Sequence, residues 1–89
     1  MSLKNNGLEI LDFLAVSGPL SRMEIFRLFT RDIDWHDVKI TIMLLHSEGI
    51  IEPLPSVDLG KAKFDLTDAG KKFILEIFPE NDYNFTLEV

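Results

Sequence analysis

The stretch KAKFDLTDAGKK, Lys61 to Lys72, changes period halfway along. Ala62, Phe64 and Leu66 alternate with Lys61, Lys63 and Asp65, the pattern of a half-buried strand. After Thr67 the apolar residues Phe73, Ile74, Ile77 and Phe78 recur at helical spacing until Pro79. Thr67 supplies the side-chain oxygen that a helix start needs for its unpaired amides. A strand that runs into a helix with no loop between them constrains the chain strongly. The helix must fold back over the sheet and close Phe64 and Leu66 into a core.

The upstream residues predict what that core rests on. Residues 7–16, GLEILDFLAV, carry Leu8, Ile10, Leu11, Phe13, Leu14 and Val16 at spacings of three and four, a helix with a broad apolar face. Asn5 or Asn6 is the expected cap, and Ser17-Gly18-Pro19 ends the helix. Ser21-Arg22-Met23-Glu24 fits a capping box, with Leu20 and Ile25 placed to staple the turn. The second helix is expected to run through Phe26, Leu28 and Phe29 to about Arg31. Asp34 caps a third helix from Trp35 to about Ser47, and Glu48-Gly49 ends it. Ile50 to Leu54 reads as a short strand, with Pro53 confining it to an edge or end. Pro55 to Gly60 is a turn-rich loop. The polar tail NDYNFTLEV closes the chain, as a mobile end or a strand added to a partner's sheet.

These elements run helix, helix, helix, strand, strand, helix. The expected class is α+β, mainly α. A length of 89 residues suits one domain, read as 1–79 with an acidic tail over 80–89. The hydrophobic fraction of 46% suits a folded chain. With no cysteine there is no disulfide framework and no thiolate chemistry. No apolar run nears the roughly 20 residues that span a bilayer, and no secretory leader is visible. Those features together lead to an expectation of a cytoplasmic protein that does not engage membranes.

Two motifs carry a resemblance. Leu45-His46-Ser47-Glu48-Gly49-Ile50-Ile51 is similar to the exit from the recognition helix in winged helix-turn-helix proteins. Phe64-Asp65-Leu66-Thr67-Asp68-Ala69-Gly70-Lys71 is similar to the entry into their last helix. Over residues 7–78 the chain resembles the compact transcriptional regulators of the MarR and PadR type. The resemblance implies three helices, a β-hairpin wing and a C-terminal helix. It also implies a function on double-stranded DNA, with the third helix in the major groove.

On that helix Val38, Ile42 and Leu45 cluster on one side, flanked by Thr41 and Trp35. His36, Ile40, Met43 and Ser47 occupy the other side, with Lys39 and Leu44 at its margins. Lys61 and Lys63 on the wing and Arg22, Arg27 and Arg31 on the second helix are candidates for phosphate contact. The candidate nucleic-acid set is therefore Arg22, Arg27, His36, Lys39, Ile40, Met43, Ser47, Lys61 and Lys63. The outward face holds no Arg, Asn or Gln, the usual readers of guanine and adenine. Ile40 stands where the family pattern often has a basic or polar residue.

Charge points elsewhere. The net charge is −6, whereas strong DNA binders are usually basic. Three of the 15 acidic residues (Glu80, Asp82, Glu88) lie in the tail, leaving 12 acidic against 9 basic residues in the body. A second reading follows, a winged-helix module for protein interaction or dimerisation through Trp35, Ile40, Met43 and Leu44. Trp35 fits either a core edge or an interface anchor.

Catalysis, metals and cofactors find no support. His36 and His46 lie on different sides of one helix with no further ligand to complete a metal set. Asp32, Asp34 and Asp37 lack the glycine and terminal glutamate of a calcium loop. The glycines are isolated, so there is no phosphate-binding loop. No nucleophile elbow is present. The partners expected are double-stranded DNA and a protein partner or second copy of the chain.

Overall fold

The structure, a computed structural model, describes residues 5–55, 61–80 and 83. The elements are α1 (Asn5–Ser17), β1 (Leu20–Ser21), α2 (Arg22–Leu28), α3 (Trp35–Ser47), β2 (Ile51–Pro53), β3 (Lys63–Leu66) and α4 (Asp68–Ile77). This is the α+β, mainly α arrangement expected, with one strand more. Loop residues 56–60 and tail residues 81, 82 and 84–89 lie outside the described residues.

The sheet is antiparallel in the order β1-β3-β2. Its central strand pairs Leu20 with Phe64 and Ser21 with Lys63 on one side. On the other it pairs Ile51 with Leu66, Glu52 with Asp65 and Pro53 with Phe64. Pro53 sits on an edge strand, where its missing N–H leaves no gap in the ladder. The ladder resumes with the Leu54 amide donating to the Lys63 carbonyl at 2.8 Å.

The helix starts were well marked. Ser21 caps α2 by accepting from the Glu24 amide at 3.2 Å, and the Glu24 carboxylate accepts from the Ser21 amide at 3.0 Å. Asp34 accepts from the His36 amide at the start of α3, and Thr67 from the Gly70 amide at the start of α4. The end of α3 is closed by two bonds spaced differently from the helical ladder, from the Gly49 amide to the His46 carbonyl and from the Ile50 amide to the Leu45 carbonyl, both 3.0 Å. Gly49 has φ of 75°, the left-handed conformation this closure requires.

The core joins Ile10, Leu11 and Leu14 of α1, Ile25 of α2, Val38, Ile42 and Leu45 of α3, Ile51 and Leu66 of the sheet, and Ile74 of α4. Each such side chain contributes roughly 1.5–3 kcal/mol through burial. Leu20 and Ile25 are both buried beside the α2 cap, as the staple requires.

Several expectations need correction. Asn6 lies within α1, and its side-chain oxygen accepts from Arg31 rather than capping the helix. Leu20 and Ser21 form β1, a strand two residues long that carries no alternation to read. The second helix stops at Leu28, short of Arg31. Phe29 leaves the helix in extended conformation, with φ −68° and ψ 129°. Phe29 meets the Phe13 ring edge-on at 5.0 Å, while Arg31 reaches Glu9 and Asn6 on α1. A continued helix would turn these two side chains apart. The strands are shorter than expected, Ile51–Pro53 and Lys63–Leu66, so Lys61 precedes β3. On α4 only Ile74 of the expected apolar set is fully buried; Phe73, Ile77 and Phe78 are half-buried.

Tyr83, within the tail, packs against the core and donates its hydroxyl to Asp12 on α1 at 2.7 Å.

Candidate nucleic-acid interface

Among the described residues, the third helix is held from one side. Val38, Ile42 and Leu45 are buried, and α3 packs against α1, α2 and β2. The spacing that buries these three turns His36, Ile40, Met43 and Ser47 to solvent, as expected from the sequence. Ile40 is 42% exposed, Met43 66% and Leu44 55%, which makes one apolar patch within two turns.

The polar residues of this face differ in how free they are. His36 is exposed next to the capped start of the helix. The Lys39 ammonium lies 5.9 Å from the centre of the Trp35 ring, a cation–π contact. Trp35 itself is half-buried and meets the Phe26 ring edge-on at 5.2 Å, which ties the start of α3 to α2. The Ser47 hydroxyl donates to the Leu44 carbonyl at 2.8 Å, so its proton is turned back into the helix.

The remaining cations of the candidate phosphate-contacting set fall into two groups. Arg27 and Lys61 are exposed and Arg22 is half-buried; among the described residues none of the three forms an ion pair. Lys63 and Arg31 are held by carboxylates of the same chain. The Lys63 ammonium lies 3.7 Å from a Glu24 carboxylate oxygen. Arg31 bonds Glu9 at 2.6 Å and also contacts Asn6, and the bond to Glu9 raises its pKa further above the ordinary range. The Glu24 carboxyl is held below its ordinary range, first by the Ser21 backbone amide, then by the Ser21 side chain and by Lys63.

Among the described residues, a cleft of about 280 Å³ lies beside Leu14, Gly18, Asp65 and Lys71, and another of about 240 Å³ beside Leu8, Asp12, Phe13 and Phe78. Neither is lined by an α3 residue.

Four helices and a three-stranded antiparallel sheet, with α3 projecting and a β2–β3 hairpin beside it, decide the architecture. The fold is the winged helix of MarR-family regulators. A crystal structure of a mutant MarR from E. coli superposes with a TM-score of 0.77 at 15% identity, over 88% of this chain and 57% of that one. A MarR family regulator from Neisseria meningitidis gives 0.65 at 21% identity, over 90% of this chain and 63% of that one. This winged helix thus spans about three-fifths of either structure's length. No family model matches the chain, and no curated protein matches it in sequence.

Two contacts of this winged helix were missed from the sequence. Glu24 was recognised as a capping residue, but its reach to Lys63 depends on strand register. The Arg31 anchor joins residues 22 and 25 positions apart, and no local pattern signals it.

Proposed function

We propose that this chain is a DNA-binding, regulator-like protein without catalytic activity, with α3 entering the major groove of double-stranded DNA. One observation carries the reading: α3 is locked into the core by Val38, Ile42 and Leu45 while its opposite face is open along its length. A rigid helix presented in this way meets the geometric demand of groove insertion. The MarR-family fold supports the regulator assignment.

In this reading Lys39, Arg22, Arg27, Lys61 and Lys63 contact phosphates, and His36, Ile40, Met43 and Ser47 face the base edges. The apolar pair Ile40 and Met43 suits thymine methyl groups. The working unit is a cytoplasmic homodimer of a domain over residues 1–79 with an acidic tail. Pairing of two copies gathers a local positive stripe despite the net charge of −6.

The test is fluorescence anisotropy of a labelled random-sequence duplex, titrated with protein from about 50 mM to about 200 mM salt. Binding that weakens steeply with salt is the expected result. Absence of binding at the lowest salt overturns the reading. It would leave the exposed Ile40, Met43 and Leu44, with Trp35 at their edge, as a surface for a protein partner. Sedimentation of a single monomeric species would overturn the homodimer.

A further inference from the structure

Glu24 joins three elements at one oxygen. Its Oε1 accepts the Ser21 amide at 3.0 Å, completing the cap of α2, and the same Oε1 lies 3.7 Å from the Lys63 ammonium. Ser21 and Lys63 are themselves paired across β1 and β3. One carboxylate therefore ties the start of α2 to the strand that leads out of the wing.

We propose that Glu24 acts as an internal substitute for DNA phosphate, holding Lys63 in the free protein and lowering affinity for DNA until a phosphate displaces it. The proposal rests on the DNA-binding reading and adds a residue that sets the strength of binding.

The two partners are not equally free. An ordinary exposed ion pair gains little, because both long side chains must be immobilised and water screens the charges. Here the carboxylate is already fixed by the cap, so its own ordering adds no further cost. A glutamate that left the lysine for solvent would leave the Ser21 amide without its acceptor. The Ser21 amide also lowers the pKa of the Glu24 carboxyl, which favours its charged form. Among the described residues the Lys63 ammonium has no second anchor of this kind, its side chain is 53% exposed, and 3.7 Å is a loose contact. The lysine is thus the partner that moves. A phosphate oxygen offers it a full charge, and counterion release favours the exchange at low salt. Glu24 opposes it twice, by holding the ammonium and by repelling the incoming phosphate.

The decisive variant is Glu24→Gln. Glutamine at the third helical position also completes a capping box, so the fold is retained while the charge is removed. A circular-dichroism melt confirms that retention. Anisotropy titrations of wild type, E24Q, K63Q and the double variant E24Q/K63Q across salt then read the coupling. E24Q is expected to bind a random-sequence duplex about threefold to tenfold more tightly at low salt, with a log–log salt slope steeper by about one. In the K63Q background the same change is expected to lose most of that gain. Wild-type binding with E24Q no tighter overturns this inference alone. A gain that persists undiminished in E24Q/K63Q also overturns it, since the effect would then be general charge reduction. Binding by none of the four overturns the DNA reading and this inference together.

Discussion

The α-carbon of Gly70 lies directly against the carbonyl oxygen of Ile50, so close that a Cβ there would collide with backbone. Thr67 forms the same junction from the other side. Its amide donates to the Ile50 carbonyl at 3.0 Å, and its hydroxyl donates to the Gly49 carbonyl at 2.6 Å. The residues that end α3 and those that start α4 are thus one joint, and it sets where the wing emerges.

Replacing Gly70 with alanine tests that joint. In an isolated helix the change gains up to about 1 kcal/mol. Here the obstacle is backbone rather than a flexible side chain, so the clash prevails. The expected result is a loss of about 2 kcal/mol or more in urea denaturation. Wild-type or higher stability would show that α4 can shift off the joint.

The two faces of α3 should respond oppositely to truncation. Leu45 is fully buried, and Leu45→Ala is expected to cost about 2–5 kcal/mol through lost burial and the cavity left behind. Met43 is mostly exposed, and Met43→Ala is expected to change stability by no more than about 0.5 kcal/mol. Chemical denaturation of the two variants checks the orientation of the helix directly.

Substitution of Ile40 tests the proposed DNA binding apart from folding. Its side chain is 42% exposed and outside the core, so Ile40→Glu is expected to change the melting curve little. In the proposed mode of binding, a negative charge on the outward side of α3 should weaken duplex binding more than tenfold, a penalty of about 1.4 kcal/mol or more. Ile40→Lys should strengthen non-specific binding and steepen its salt slope by about one. Equal binding by both variants would remove α3 from the DNA-contacting surface.

The Glu24 carboxyl predicts a pH dependence. Its folded pKa is lowered from an ordinary value of 4.5, chiefly by the Ser21 backbone amide. Stability from this group is therefore fully present above about 4.5 and is lost as pH falls through the lower folded value. Urea midpoints of wild type and Glu24→Gln, measured from about pH 6 down to about pH 3, should converge towards the acid end. Parallel curves over that range would show that Glu24 is not linked to folding.

Features that depend on neighbours within a few residues are legible in the sequence. The Ser21/Glu24 box, the Asp34 and Thr67 caps and the Gly49 closure each satisfy backbone groups one turn away. The inward face of α3 followed from helical period alone, and with it the exposure of Ile40, Met43 and Leu44. Features that depend on partners far along the chain come from packing instead. A two-residue strand has no period of its own, and β1 exists because β3 lies alongside it. The second helix stops early because Phe29 and Arg31 both find partners on α1. Lys63 and Arg31 read as free cations in the sequence, and the fold brings each against a carboxylate, because strand register and helix packing set which opposite charges meet.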